Sequence, residues 1–567
     1  MTRLSRRRLM RGAGMTAAGM AFLAACGGDG ESTDEPSSGA ATTSAGTQAA
    51  AAATEGKPGG TIRWVMIPVD PTSFDPYADF NYQSHLSSLF YYSRLYRFRT
   101  QAGNPNSFWE YEVEPDAALS LPEISDDGQT YVIKLRPDVK WHNLAPMDGR
   151  QVTAEDIKFD MEFFMQNAQS SDVFTGVIDK VEAPDPTTVS IKLKFPYVAL
   201  SNLLAAPHYF FILPPEILQR DGNVKNTHVG SGPFLFDTYE PGVRLVYKKN
   251  PEYYGTPYPY VDVAEGFIVN DPRRTLSLFQ SDQIGFMSPT QEDLPTLKQS
   301  KPDASILEYL PNAHTFFFYF GDSIPANKPP FNDVRVRQAL SLVVDRDGFA
   351  DLFYEGKGVW NNVISPGMSK WYLDPTSDEM GAAAQWFEYD AKKAKQLLSA
   401  AGYSDDFEIE FHYSPGYGRT FASRAEGILA LLKEGGFNVK PVAEEYGNYI
   451  ANTFAGKFSG TAMGPQTDLT EPDLLFFRMF SPDNQLNNSR VNDPKMTEML
   501  NAQRREFDED KRKQIVYDIQ RYNAEMMYYV PGVQGYSFAA VQPSVKDYRP
   551  TVAYGFADTI TWLWNDS

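Results

Sequence analysis

The chain has 567 residues, enough for two to four domains, and its 42% apolar and 22% charged composition is that of a globular protein. With 52 basic against 72 acidic residues the formal charge is −20, which argues against a general nucleic-acid binder. A single cysteine excludes an intramolecular disulfide and any zinc ribbon or iron–sulfur cluster held by this chain alone.

Residues 1–25 read as an export signal. Ser5-Arg6-Arg7-Arg8 is a basic start. Gly12 to Ala25 is weakly apolar and shorter than the about 20 residues that span a bilayer. The S-R-R-x order resembles a twin-arginine signal, with Arg6 and Arg7 as its pair. Small residues precede the only cysteine in Leu23-Ala24-Ala25-Cys26. That resembles a bacterial lipobox and makes Cys26 the expected lipidation site. Two or three acyl chains there would anchor the protein durably. Residues 26–56, beginning with the lipidated cysteine, are Gly, Ser, Thr, Ala and acids, too polar to bury a core. They read as a tether of ~30 Å reach.

The folded body is expected from about Lys57. Thr61 to Ile67 reads as a strand, followed by turns at Asp70-Pro71 and Asp75-Pro76. Ser84 to Tyr96 places Leu86, Leu89, Phe90 and Leu95 at helical spacing. Thr130 to Leu135 and Thr188 to Phe195 alternate as strands. Thr153-Ala154-Glu155-Asp156 resembles a capping box opening a helix with Ile157, Met161 and Phe164 inward. Val334 to Asp345, behind Asp333, is a helix. Asp390 caps another that Gly402 closes, and Ser423 to Lys433 is a third. A fourth runs from about Asp493 to Met527 with a break near Asp508 and a buried stripe of Ile515, Ile519, Tyr522 and Met526. The alternating signs of Arg504 to Lys513 read as a solvated helix face. Strands and helices interleave, so the class is α/β.

Catalytic motifs are scarce. The six histidines are scattered and form no HExxH or HxH pattern. Gly230-Ser231-Gly232-Pro233 lacks the third glycine of a dinucleotide loop, and Ala455-Gly456-Lys457-Phe458 lacks the rest of a P-loop. There is no GxSxG nucleophile elbow. No cofactor or metal is expected. The residues by themselves favour an exported, membrane-tethered binding protein, with an exported hydrolase as the rival.

An ordered set of motifs resembles the family 5 extracellular solute-binding proteins, the receptors of peptide, nickel and related ABC importers. Gly59-Gly60-Thr61-Ile62-Arg63 with Phe74-Asp75-Pro76 is similar to the family's opening. Leu135-Arg136-Pro137-Asp138-Val139-Lys140-Trp141-His142 is similar to its signature region. Gly230 to Phe234 and Asn250-Pro251-Glu252-Tyr253-Tyr254 follow. Phe331-Asn332-Asp333-Val334-Arg335 through Asp345-Arg346 is the most diagnostic block, and Asp390 to Tyr403 the next. Two departures stand out. The H-D-G-x-P run is displaced to Asp148-Gly149 behind His142-Asn143-Leu144-Ala145-Pro146. A tryptophan common before the ligand-facing Asp is absent from Ala462 to Thr467.

The resemblance implies a two-lobed periplasmic-binding-protein-like clamshell with an extra domain in one lobe. By motif order, lobe I takes 57–98, 226–312 and 527–567, the extra domain 99–225 and lobe II 313–526. In peptide-binding members the ligand ammonium meets an Asp in a D-x-x-E-P shape. Asp468-Leu469-Thr470-Glu471-Pro472 has that shape, and equally reads as a turn before Pro472. In some members a basic residue in the loop after the Phe407 to Tyr413 strand meets the carboxylate. That loop holds Tyr417 and Arg419, and Arg419 equally reads as a helix-start surface residue. Phe80, Tyr82, Trp360 and Trp371 are aromatics suited to the cleft entry or to packing. The implied function is the substrate-binding receptor of an ABC importer, without catalysis, taking an oligopeptide. An oligosaccharide or chelated nickel is the alternative ligand. The implied partners are a permease and its ATPase, the protein is a monomer, and its place is outside the cytoplasmic membrane.

Overall fold

A computed structural model describes residues 56–78, 82–99, 112–311, 313–321, 330–403, 408–467, 471–484, 486–549 and 556–566. Arg6, Arg7, Cys26, the tether, Phe80 and Asp468 lie outside the described residues. No helix among the described residues is long and apolar enough to cross a membrane.

Two large sheets and one smaller one organise the body. The first has seven strands, in the order Ser305–Tyr309, Ser537–Val541, Phe286–Met287, Thr61–Ile67, Val263–Ile268, Arg244–Lys249, Phe234–Glu240. The second has five, in the order Asn438–Ala443, Glu408–Tyr413, Thr461–Thr467, Ala313–Phe320, Val530–Pro531. A four-stranded sheet runs Glu123–Ile124, Thr130–Lys134, Thr188–Leu193, Ile178–Asp185. The helix Ala154–Asn167 packs on its last two strands.

The first and second sheets are joined by two chain segments lying side by side. Tyr309 pairs with Ser537 in the first sheet, and Phe317 and Phe318 pair with Pro531 and Val530 in the second. The crossings therefore fall between Tyr309 and Ala313 and between Gln534 and Ser537. The sequence reading places this return at 527. Val530–Pro531 still belongs to the second sheet, and Val533–Gln534 still pairs with Val359–Trp360 beside it.

Local signals hold where one turn of chain completes them. Thr153 and Asp156 form a reciprocal capping box, and Ile157, Met161 and Phe164 are buried. Asp333, Asp390, Asp493 and Asp508 each accept from a backbone N–H at a helix start. The fourth helix is two, Pro494–Gln503 and Glu509–Met526, broken at Asp508 as expected.

Three expectations are corrected. The helix from Val334 ends at Leu342, because Asp345 accepts from Gly348 N–H at 2.9 Å and caps a new helix, Arg346–Tyr354. The helix expected over 84–96 is Tyr82–Ser88, since the carbonyls of Phe90 and Tyr91 accept from Phe234 and Gly232 instead. A Cβ on Gly230 would lie 1.8 Å from the Tyr91 carbonyl oxygen, so this GxG serves close backbone packing. Finally, the buried stripe of Glu509–Met526 is Val516, Ile519, Gln520, Asn523 and Ala524. Gln520 donates to the Trp371 carbonyl at 2.8 Å and accepts from Leu373 N–H at 3.1 Å, so this amide is buried without loss.

Candidate functional site

In open α/β sheets ligands sit beyond the carboxyl ends of parallel strands. In the second sheet Glu408–Tyr413 runs parallel to both Asn438–Ala443 and Thr461–Thr467. The carboxyl ends of Glu408–Tyr413 and Asn438–Ala443 deliver Ser414 to Tyr417 and Glu444 to Tyr449 to one edge. In the first sheet Thr61–Ile67 runs parallel to Val263–Ile268 and Phe286–Met287. Their carboxyl ends line a cavity of about 310 Å³ with Pro68, Asn270 and Ser288. A larger cavity of about 570 Å³, lined by Thr61, Gly285 and Gln542, sits at the amino ends of the same strands. It is therefore at the wrong edge for this mode of binding.

Tyr417 is half-buried at the second-sheet edge. Its ring meets Tyr446 at 5.2 Å and Tyr449 at 5.8 Å, both edge-on at 87°, and Phe421 at 5.1 Å. Burial, then Tyr446, raises its phenol well above the ordinary value, so Tyr417 is a neutral hydrogen-bonding aromatic. Behind it the Tyr449 and Tyr319 hydroxyls lie 2.8 Å apart, and Tyr449 donates to the Met463 carbonyl at 3.0 Å. Gly464 makes this wall possible: a Cβ there would lie 1.6 Å from the Tyr319 hydroxyl and 2.5 Å from that of Tyr449. Gln466, two residues on, is buried with an amide oxygen that has no partner among the described residues.

Arg419 is the first residue of the helix Arg419–Glu434, exposed and in no ion pair with a described residue. Another cation, Arg478, is half-buried on the helix Pro472–Phe480. Its guanidinium lies 5.8 Å from the Phe454 ring, and its charge acts on Tyr417 and Tyr529. It also acts on buried His208, whose imidazole is pushed down to about 3, first by burial and then by the positive charges of His85, Arg94 and Arg478. His85 lies on the helix Tyr82–Ser88, which Tyr82 begins. Second-lobe Arg478 thus stands near groups from the first part of the chain. Its sequence signal was its place on the helix that the D-x-x-E-P shape opens, six residues past Pro472.

Within that shape Glu471 is structural. It accepts from Asp473 N–H at 3.0 Å, capping the helix, and is paired with buried Arg512. Asp473, fully buried, accepts from Arg504 at 3.0 and 3.2 Å, from Gln503, and from the Tyr197 hydroxyl at 2.8 Å. The run from Arg504 to Lys513 is mostly exposed, as expected of a solvated face, but two of its arginines, Arg504 and Arg512, turn inward to complete a buried network. Trp360 donates to Asp347 at 3.0 Å and Trp371 packs against Arg512, so both serve second-lobe packing. Among the described residues no group of three or more His, Cys, Asp or Glu side chains is placed to hold a metal ion.

Comparison with known proteins completes the description. Residues 112–487 match the family model described as bacterial extracellular solute-binding proteins, family 5 Middle. A dipeptide-binding protein of Escherichia coli is 30% identical over 422 residues, 70% of this chain and 74% of its own. Heme-binding protein A of Haemophilus influenzae is 25% identical over 492 residues, 82% of this chain and 85% of its own. The solved periplasmic binding protein DppA of Helicobacter pylori, in complex with the peptide STSA, superposes with a TM-score of 0.72 at 21% identity. It covers 90% of this chain and 99% of its own. The fold is a two-lobed periplasmic-binding-protein clamshell.

Proposed function

Because the chain belongs to the family 5 bacterial extracellular solute-binding proteins, we propose that it is the receptor of an ABC importer for short peptides. It binds, closes and passes its ligand to a permease driven by an ATPase, and performs no chemistry. The observation that supports this reading is the crevice edge of the second sheet. There the Tyr417, Tyr446 and Tyr449 rings stand at strand ends beside the strand that runs into Asp468. An ammonium or carboxylate shut in a cleft needs a counter-charge. We assign the ligand ammonium to Asp468 and the aromatic wall to Tyr417, with Phe80 and Tyr82 at the entry. The carboxylate has two candidate partners, Arg419 and Arg478, and the burial of Arg478 favours it. The first lobe takes 57–98, 226–312 and the chain after 534, with the extra domain at 99–225 and the second lobe at 313–534. A monomer held at the membrane by Cys26, after export through the Arg6-Arg7 signal, completes the proposal. Accumulation of unprocessed precursor in globomycin is the expected check on Cys26.

Native mass spectrometry of protein purified without added ligand should reveal bound peptides. Calorimetry with such a peptide should show a loss of ~2–5 kcal/mol on acetylating its amino end or on Asp468→Ala. The two losses should not add, because both remove one interaction. Amidating the carboxyl end should couple in the same way to Arg478→Ala. A haem, an uncharged sugar or a nickel chelate in the mass spectrum, with no peptide binding, sinks the peptide assignment and leaves the receptor class standing.

A further inference from the structure

The four-stranded domain meets the second lobe in a dry patch. Tyr197, four residues past the strand Thr188–Leu193, is fully buried, and its hydroxyl donates to Asp473 Oδ2 at 2.8 Å. Its carbonyl accepts from the Tyr131 hydroxyl at 2.8 Å, which ties it to the four-stranded sheet. Val198 N–H donates to the Arg504 carbonyl at 3.0 Å. The Phe195 and Tyr197 rings each lie 5.1 Å from the Arg504 guanidinium, which meets Phe477 at 3.4 Å. Farther out, the Phe507 ring covers Gly128, 2.8 Å from where a Cβ would sit.

The same domain is rooted in the first lobe. The Tyr77 hydroxyl donates to the Phe211 carbonyl at 2.8 Å, and Val224 N–H donates to Asp75 at 3.3 Å. A rotation about the two crossings at 309–313 and 534–537 must therefore part Tyr197 from Asp473. Asp473 and Arg504 both belong to the second lobe and keep their ion pair through that rotation. Opening thus breaks a neutral donor's bond to a carboxylate that stays paired, and strands no buried charge. A contact of that kind is reversible, unlike a core.

We propose that Tyr197, Val198 and Phe195 form a closure latch on Asp473 and Arg504, made when the lobes shut and biasing the empty protein toward the shut form. The proposal rests on the two-lobed reading and not on the identity of the ligand. The latch holds the first turn of the helix Pro472–Phe480. Ligand and latch favour the same closed form.

The test needs no ligand. In the full chain carrying Cys26→Ser, spin labels at Asp179→Cys and Asp510→Cys, both exposed sites, report domain against second lobe. A second pair at Arg273→Cys and Lys433→Cys, also exposed, reports first lobe against second. Pulsed dipolar spectroscopy should give a short and a long distance for both pairs. Tyr197→Phe keeps the ring and removes the donor, and should lower the short-to-long ratio of both pairs roughly tenfold. Phe195→Leu, which weakens the ring contact and leaves the hydrogen bond, should lower it less. Unchanged ratios in both variants overturn the latch. So does a single domain-to-lobe distance while the lobe-to-lobe pair moves, because the domain would then travel with the second lobe. A single distance for both pairs overturns it as well.

Discussion

The two ends of the helix Pro472–Phe480 are finished differently. At its start Asp473 has several partners: Tyr197, Gln503 and the Nε and Nη2 of Arg504. Glu471, two residues before Asp473, and Arg512, two helices on, complete the same network. Beside its far end the wall is built of phenols, and the Gln466 amide oxygen, two residues past Gly464, has no partner among the described residues. A network whose charges are all matched fixes pieces of chain against each other. An edge whose polar groups are matched only in part is suited to receive a molecule that completes it.

Breaking the finished end should have the largest effect. Asp473→Ala leaves Arg504 without its buried acid and should cost ~3–5 kcal/mol of unfolding free energy in urea. A loss below about 1 kcal/mol would mean that the network holds little. At the crevice end, Gly464→Ala forces a Cβ into the Tyr319 and Tyr449 hydroxyls and should cost ~1–3 kcal/mol. Adding Tyr319→Phe removes the closer of the two obstacles and should recover part of that loss; strict additivity would show that the hydroxyl is not the obstacle.

The smallest effect is electrostatic and singles out the crevice end. His208 protonates near its ordinary 6.5 when unfolded but only at about 3 when folded. Between those values the unfolded state binds more protons, so stability is full above pH 6.5 and falls as pH falls toward 3. The loss from His208 should reach ~1 kcal/mol by pH 5.5, read as a shift of the urea midpoint. His208→Gln should flatten that part of the slope, while Asp473→Asn should leave it unchanged.

The fold was legible where signals are local or ordered along the chain. The expected strand at Thr61–Ile67 and the helices behind Asp333, Asp390 and Asp493 are present. The expected Asp508 break is also present. The site was legible only in part. Tyr417 packs among other aromatics at the strand ends and Arg419 is exposed, while Arg478, proposed above for the carboxylate, carries no sequence signal of its burial. A lone arginine inside an apolar helix carries no pattern that says which neighbour its charge will reach. Glu471 was read as part of a ligand motif, and its main partner is Arg512, 41 residues on.

The sequence by itself determined the caps, the breaks and the family motifs, because each joins residues within a few positions of one another. A capping box needs only Thr153 and Asp156, and one turn of helix brings them together. Tertiary structure decided which charges are buried, which face of Glu509–Met526 turns inward and where the helix after Tyr82 stops. The Tyr197–Asp473 bond joins residues 276 positions apart. Gln520 is buried because Leu373 and the Trp371 carbonyl meet it there. An arginine or amide looks like surface in sequence, since burial costs free energy until a partner matches it, and that partner is supplied only when distant segments pack.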